Sequence, residues 1–164
     1  ERLSYQLIEK HNKFESSILI GLQPRGAFTC KRVLKKLKFL LPTIDVKSGN
    51  LDISFYRDDL MRRDHPIEPD IMDINLSFED KNIILVDDVL FTGRSIRSAL
   101  DAILSFGRPK TVELLTLINR RFSRHLPIEP TYVGKTIDAL SEEKVIVEWK
   151  EVHGVDRVLM KKNT

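Results

Sequence analysis

Apolar residues follow two spacings along this chain, and the two spacings alternate. Segments 18–20, 83–86 and 111–118 are rich in apolar residues without a regular polar partner, which is typical of strands buried on both faces. Segments 2–11, 27–41 and 95–104 carry apolar residues at helical spacing. Strands alternating with helices predict an α/β fold, in which a mostly parallel central sheet is flanked by helices through right-handed crossovers.

The remaining segments depart from this alternation. After a predicted turn at 48–50, residues 51–56 alternate as a strand with one buried face, and segments around 145–149 and 158–160 predict an antiparallel hairpin at the sheet edge. Residues 56–69 are dense in charge, contain two prolines and lack any period that would bury them. We expect a flexible hairpin loop over about 56–72, either a solvated surface loop or a cover for an active site.

Segment 83–95 combines four features in order: a buried strand, two acidic residues, a turn of small residues and the start of a helix. The unpaired N–H groups and partial positive charge of a helix start favour an anion. The turn residues add further groups that bind anions. Thr92 and Ser95 carry hydroxyl donors, Arg94 carries positive charge, and Gly93 lets the backbone approach a phosphate closely. Asp87 and Asp88 would repel a phosphate but suit a sugar's hydroxyl pair, directly or through Mg²⁺. The coincidence favours a phosphorylated sugar over solvated aspartates and an ordinary helix cap.

A second strand, loop and helix has similar geometry at residues 18–41. Its loop contains Pro24, Arg25 and Gly26 between the predicted strand and helix. Alone, such a loop is more often a plain turn with a surface arginine. Beside the first segment, it is interpreted as a second anion-binding loop.

Composition fits one domain spanning residues 1–164. The chain has 41% hydrophobic and 31% charged residues, a net charge of +3 and a single cysteine, Cys30, which excludes an internal disulfide. No signal peptide or membrane-spanning run is visible, so we expect a cytoplasmic protein without membrane contact. The chain begins at Glu1 within a helical pattern, so a few N-terminal residues are expected to be missing. No Ser-His-Asp order, CxxC pair or Walker A pattern offers competing chemistry.

Segment 83–95 resembles the phosphoribosyl pyrophosphate (PRPP) signature of type I phosphoribosyltransferases. The resemblance implies that Asp87 and Asp88 are catalytic, hold the ribose hydroxyls and bind Mg²⁺, directly or through water. It implies PRPP and phosphate binding by Asp87, Asp88, Val89, Leu90, Phe91, Thr92, Gly93, Arg94 and Ser95. Pyrophosphate binding is implied for Pro24, Arg25 and Gly26.

Within that class, the chain resembles the PyrR family, pyrimidine-operon attenuation regulators with uracil phosphoribosyltransferase activity. The resemblance rests on residues 56–60, 83–95, 126–128 and 133–135. It implies catalytic roles for Arg57 and Asp58, and base contacts by Val133 and Gly134. It also implies a base-binding hood from about 126 to 164 with an N-terminal contribution, and a homodimer or larger homo-oligomer.

The implied reaction converts uracil and PRPP to UMP and pyrophosphate by displacement at the ribose anomeric carbon. Positioning and charge stabilisation would supply the rate enhancement. Phe91 replaces an aspartate that contacts the base in 6-oxopurine phosphoribosyltransferases, which disfavours the alternative of a purine enzyme. Asn119 stands where PyrR proteins usually have Asp.

A second alternative is an RNA-binding regulator that uses the fold as a nucleotide sensor. The basic segment 119–125 is interpreted equally well as a solvated loop or as a phosphate or RNA contact. Tyr5 stands near a position where RNA-binding members have His, which disfavours RNA binding.

Overall fold

A central parallel sheet organises the computed structural model, which describes residues 1–53 and 77–162. Its strands are β1 (Ser17–Leu22), β2 (Lys47–Leu51), β3 (Asn82–Leu90), β4 (Thr111–Arg120) and β5 (Tyr132–Ile137). They lie in the order β2-β1-β3-β4-β5, and every neighbouring pair is parallel. The predicted α/β architecture is confirmed, with β3 at the centre of the sheet.

Helices cover both faces of this sheet. They are α1 (Arg2–His11), α2 (Gly26–Leu40) and α3 (Arg94–Ser105). On one face, α1 and α2 pack on Ile84 and Val86 of β3, whereas α3 packs with Ile83 and Leu85 on the other. Alternate residues of β3 thus enter two separate apolar cores, which explains why the strand has an unbroken apolar run. Cys30 is buried in the first of these cores as a free thiol.

A second, two-stranded antiparallel sheet lies beyond the carboxyl ends of the main strands. It consists of β6 (Glu143–Glu148) and β7 (Arg157–Lys162), joined by the short helix α4 (Lys150–His153). The predicted hairpin therefore forms, but as a sheet of its own and not as an edge of the main sheet. It packs through the buried side chains of Val145, Val147 and Trp149. Of the segment from about 126 to 164, β5 belongs to the main sheet and the small sheet begins at Glu143.

Strand ends differ from the sequence prediction at three places. Residues 48–50, predicted as a turn, lie inside β2 and pair with β1, because parallel pairing outweighs their turn-forming composition. β3 continues through the acidic pair to Leu90, and β4 continues through Asn119 to Arg120. The predicted flexible loop at 56–72, including Arg57 and Asp58, lies entirely outside the described residues.

No helix within the described residues is both long and apolar enough to cross a membrane.

Candidate active site

Two adjacent carboxylates stand near the carboxyl end of β3, where a ligand of an open parallel sheet is expected to bind. The backbone N–H of Val89 donates a hydrogen bond of 2.8 Å to Asp88 Oδ1, and the N–H of Asp88 donates one of 2.9 Å to Asp87 Oδ1. Asp88 is buried, with 6% of its surface exposed. Its second oxygen, Oδ2, is also buried and has no hydrogen-bond partner among the described residues. An unsatisfied buried acceptor is costly, so this oxygen is suited to a ligand.

Neither carboxylate ionises easily in this setting. Burial, followed by the charge of Asp88, raises the pKa of Asp87 to about 8. Burial also raises the pKa of Asp88, although the N–H of Val89 and the charge of Arg25 act in the opposite direction. A hydroxyl pair that donates hydrogen bonds, or a divalent cation, would stabilise the ionised pair.

A cavity of about 610 Å³ lies directly beside the acidic pair. It is lined by Asp87, Val89, Leu90, Phe91, Thr92, Gly93, Arg94, Ser95, Ile96 and Ser98. All predicted phosphate-binding residues except Asp88 therefore line one cavity. Gly93 caps α3 with a left-handed φ of 90°, a conformation that glycine adopts without strain. We call residues 89–95 the phosphate loop, because the amino end of α3 offers unpaired N–H groups here.

The second predicted anion loop lies against the same aspartates. A Cβ on Gly26 would be 2.3 Å from the Val86 carbonyl oxygen and 2.9 Å from Asp87 Cα, so only glycine allows α2 to begin this close to β3. Arg25 immediately precedes α2, and its charge lowers the pKa of both aspartates. The structure thus brings Arg25 and Gly26 beside the acidic pair.

Comparison with known proteins identifies the family. The phosphoribosyl transferase domain model matches residues 1–151. The bifunctional protein PyrR of Enterococcus faecalis is 43% identical over 161 residues, covering 98% of this chain and 89% of that protein. The chain belongs to the PyrR family. The bifunctional protein PyrR of Limosilactobacillus fermentum is 40% identical, covering 93% of this chain and 86% of that protein.

Solved structures agree with this fold. A hypoxanthine phosphoribosyltransferase from Staphylococcus aureus superimposes with a TM-score of 0.66 and covers 93% of this chain and 79% of its own. Its sequence is only 22% identical, so this likeness shows the shared fold alone.

The PyrR resemblance also predicted base contacts by Val133 and Gly134, and the structure does not bring these residues to the cavity. Val133 lies level with Asp87 but two strands away, about 10 Å across the sheet. The carbonyls of Val133 and Gly134 accept hydrogen bonds of 2.9 and 2.5 Å from the Arg2 guanidinium. A Cβ on Gly134 would be 2.3 Å from the Leu117 carbonyl oxygen, so close packing of the strands also explains this glycine.

Two arginines of the basic segment 119–125 turn inward to the phosphate loop. The guanidinium carbon of Arg120 lies 3.9 Å from the Phe91 ring centroid, and Arg120 donates to the Leu140 carbonyl at 2.8 Å. Arg124 donates to the Phe91 carbonyl and, at 2.6 Å, to Asn119 Oδ1. Neither a solvated loop nor an RNA contact describes these two residues. The signal in the sequence was that Arg120 ends, and Arg124 closely follows, the strand next to β3, because adjacent parallel strands end at the same edge of a sheet.

Asp87 and Asp88 fit a Mg²⁺ site in which a substrate and water would provide the remaining ligands. Within the described ranges 1–53 and 77–162, no group of three or more His, Cys, Asp or Glu side chains could hold a metal. Mg²⁺ usually keeps several waters and binds one or two carboxylates together with substrate phosphates. Asp87 and Asp88, with the unsatisfied Asp88 Oδ2, fit that pattern.

Proposed function

We propose that this PyrR-family chain is a PRPP-dependent uracil phosphoribosyltransferase, which forms UMP and pyrophosphate. The observation that supports it most is the acidic pair, Asp87 in the cavity wall and Asp88 buried behind it, beside a cavity lined by the phosphate loop. A sugar with vicinal hydroxyls and a phosphate presents the chemistry that these two neighbouring groups bind. PRPP carries both on one ribose ring.

In this proposal the protein acts mainly by binding and orientation. Asp87 and Asp88 accept hydrogen bonds from the ribose hydroxyls, and the N–H groups and hydroxyls of Thr92 to Ser95 hold the 5′-phosphate. Arg25 lies beside the pair, on the side proposed for pyrophosphate. Held in this way, the anomeric carbon is presented to the base while the C–O bond to pyrophosphate breaks. When bound, Mg²⁺ would supply charge neutralisation for the leaving pyrophosphate, with Asp87 and Asp88 as its protein ligands.

Uracil is proposed as the base because of Phe91. Its ring is 37% exposed, lines the cavity and stacks on Arg120. A phenyl ring has no acceptor for a purine N–H, whereas it tolerates a smaller pyrimidine. We further propose a cytoplasmic location and a homodimer or larger homo-oligomer. The free, buried thiol of Cys30 is compatible with a reducing compartment.

The acidic pair provides the test of this proposal. We expect the double substitution Asp87→Asn with Asp88→Asn to abolish PRPP binding in titration calorimetry with Mg²⁺, and to reduce UMP formation at least about 100-fold. The fold should persist, because asparagine keeps the size of each side chain. Asp101→Asn is the matched control, since Asp101 lies exposed on α3 and pairs only weakly with Arg97 at 3.9 Å. Unchanged PRPP affinity in the double variant would refute the sugar-hydroxyl role.

A second candidate function is RNA binding. The observation in its favour is the exposed pair Arg121 and Phe122, with Phe122 71% exposed and the Arg121 guanidinium carbon 5.4 Å from its ring centroid. A solvent-facing aromatic ring beside a cation can stack on an unpaired base. Because Arg120 and Arg124 are engaged inside the protein, this surface is smaller than the sequence indicates.

A further inference from the structure

Arg124 lies between the phosphate loop and the end of β4. Only 16% of its side chain is exposed. One terminal nitrogen donates to the Phe91 carbonyl, and the other donates to Asn119 Oδ1 at 2.6 Å. A single planar guanidinium therefore joins the backbone of the phosphate loop to the strand beside it, a geometry that the fork of arginine permits and that a lysine ammonium does not reproduce.

The residues after Arg124 make further contacts with the same loop. The backbone N–H groups of His125 and Leu126 donate to the Thr92 carbonyl at 3.0 and 3.3 Å. Next to it, the open side of Gly93 faces Leu126 and Ile128, which lie 3.3 to 3.6 Å from where a Cβ would stand. Segment 124–128 thus supports the phosphate loop through both hydrogen bonds and packing.

The charge of Arg124 is poorly compensated. Within the part of the chain that the structure describes, its one carboxylate within 4 Å is Glu129, 3.9 Å from Nε, and Nε itself has no hydrogen-bond partner. Its two hydrogen-bond acceptors, a carbonyl and an amide, are neutral. Burying a cation against neutral acceptors costs stability. Binding of an anion in the neighbouring cavity would offset this cost, because the positive charge of Arg124 attracts phosphate.

We propose that Arg124 is a positioning residue that holds the phosphate loop in its binding conformation, with Asn119 as the anchor on β4. The proposal rests on the proposed function, since it assigns the loop to PRPP. Arg124 acts through the Phe91 carbonyl and is not required to touch the substrate. Asn119 is suited to this task because its amide oxygen accepts the hydrogen bond and leaves the positive charge of Arg124 in place.

The test compares Arg124→Met, which keeps most of the side-chain length but removes every donor, with Arg121→Met. Arg121 is the matched control because it lies three residues away, is 57% exposed and pairs with Asp138 and not with the loop. In calorimetry with Mg²⁺ we expect Arg124→Met to weaken PRPP affinity at least about tenfold, through two lost charged hydrogen bonds. The Arg121→Met variant should stay within about twofold of the wild type.

Kinetics separate positioning from general destabilisation. We expect Arg124→Met to raise KM for PRPP at least about tenfold while KM for uracil stays within about twofold. Arg124→Lys keeps the charge but cannot span both acceptors, so it should recover only part of the lost affinity. Should Arg124→Met fail to fold, Asn119→Ala removes the anchor alone and is expected to weaken PRPP binding about threefold to tenfold.

Two results would overturn the inference, and they are distinguishable. Wild-type protein that does not bind PRPP refutes the proposed function and this proposal together. Wild-type protein that binds PRPP, with Arg124→Met or Asn119→Ala binding it equally well, refutes only the positioning role. Equal losses in Arg124→Met and Arg121→Met would likewise refute it, because general charge would then explain the effect.

Discussion

At the scale of single residues, the two carboxylates of the acidic pair destabilise the protein in the absence of a ligand and would be stabilised by one. Asp87 Oδ1 accepts a hydrogen bond from the backbone of Asp88, but Asp88 Oδ2 is left without a partner in the described structure. The two charges also repel one another. Ligand-binding residues commonly reduce stability in this way, because selection acts on binding.

This arrangement predicts an unusual pH dependence of stability. Burial and the charge of Asp88 raise the pKa of Asp87 to about 8, whereas the unfolded chain has the ordinary value of 3.8. Between these values the folded protein binds a proton that the unfolded chain releases, so the contribution of Asp87 to the free energy of unfolding falls as pH rises. Asp87→Asn should remove this fall, which reaches up to about 1.4 kcal/mol per pH unit.

Urea unfolding of wild type and Asp87→Asn from pH 5 to pH 8, without divalent cations, measures the difference. The free energy of unfolding of the variant should exceed that of the wild type by a margin that grows with pH. Asp101→Asn serves as the control and should follow the wild type. A constant margin between the variant and wild-type curves would contradict the prediction.

The sequence predicted the residues of the acidic pair and the phosphate loop because they are contiguous. A strand followed by a helix places neighbouring residues at one site, whatever the rest of the fold does. Arg124 could not be assigned in this way, because its partners Phe91 and Asn119 become neighbours only when β3 and β4 pair. The base contacts of Val133 and Gly134 were predicted from the resemblance alone. In the structure, the carbonyls of both residues accept hydrogen bonds from Arg2.

At the scale of elements, a buried polar cluster joins α1 to three strands at the edge opposite the candidate site. His11 lies within hydrogen-bond distance of Ser17 Oγ at 2.8 Å, of Glu113 Oε2 at 3.2 Å and of the Tyr132 hydroxyl at 3.0 Å. The Tyr132 hydroxyl donates to Glu113 at 2.6 Å, and Lys10 Nζ lies 3.0 Å from the same carboxylate. Glu113 is therefore the common acceptor that connects these elements.

We predict that Glu113→Gln destabilises the fold in a pH-dependent way. Burial opposes ionisation of Glu113, but hydrogen bonds from Tyr132 and Lys10 outweigh it and lower the pKa. The lowered pKa contributes stability above the ordinary value of 4.5, and this contribution is lost as pH falls through the folded value. At pH 7 the loss should be about 1–3 kcal/mol.

Thermal or urea unfolding at pH 7 and at pH 3.5 checks this prediction. The difference between Glu113→Gln and wild type should be largest at pH 7 and should shrink at pH 3.5. Glu142→Gln, at an exposed position after β5, is the control and should change stability little. A difference of equal size at both pH values would mean that packing, and not charge, explains the loss.

Elements themselves were more predictable than their ends. The three helices that flank the main sheet and its apolar strands follow from local spacing, which the burial of one face or of both faces imposes. The ends of strands depend instead on pairing with neighbouring strands. Residues 48–50 have the composition of a turn but form a strand because they pair with β1. Arg120 belongs to β4 because it pairs with Ile137 of β5. No local pattern contains that information.

At the scale of the whole molecule, the candidate site combines parts from distant stretches of chain. β3 supplies the acidic pair, α2 begins at Gly26 beside it, and segment 124–128 supports the phosphate loop. The small β6-β7 sheet packs through Val145, Val147 and Trp149 over the same region. This arrangement requires the complete fold, so substrate preference is best tested on the intact chain.

We predict that the enzyme prefers uracil to hypoxanthine and guanine. Phe91 lines the cavity with a ring that has no hydrogen-bond acceptor, and Arg120 packs against that ring. A buried purine N–H facing this ring would lose its partner, which commonly costs about 1–3 kcal/mol, or roughly fivefold to 150-fold in kcat/KM. Steady-state kcat/KM values for the three bases with PRPP and Mg²⁺ measure the preference.

Phe91→Asp supplies the reverse comparison. The substitution provides the missing acceptor and should lower kcat/KM for uracil relative to that for hypoxanthine. Phe106→Asp, at a comparably exposed phenylalanine (38%) beyond the end of α3, controls for the added charge. A higher kcat/KM for either purine in the wild type would overturn the proposed base.

RNA binding, if it occurs, should be weak and sensitive to salt. Of the four candidate basic residues in segment 119–125, Arg120 is 4% exposed and Arg124 contacts the phosphate loop, so neither can meet RNA without giving up its internal contacts. The exposed Arg121 forms an ion pair with Asp138, which partly neutralises its charge. One or two phosphate contacts per chain give a slope of log K against log salt of about −1 to −2, and they carry no sequence information.

Gel-shift titrations at two salt concentrations, with a pyrimidine-leader hairpin and a scrambled hairpin, test this expectation. Both RNAs should bind with similar, low affinity, and the higher salt should weaken both equally. Phe122→Ala should remove most of the remaining binding, because Phe122 is the exposed ring on which a base could stack. Phe39→Ala, which removes an exposed ring from α2, should not. Tight binding to the leader alone that persists at the higher salt would instead make sequence-specific RNA recognition the main function, because stacking and base-edge contacts, unlike phosphate contacts, survive added salt.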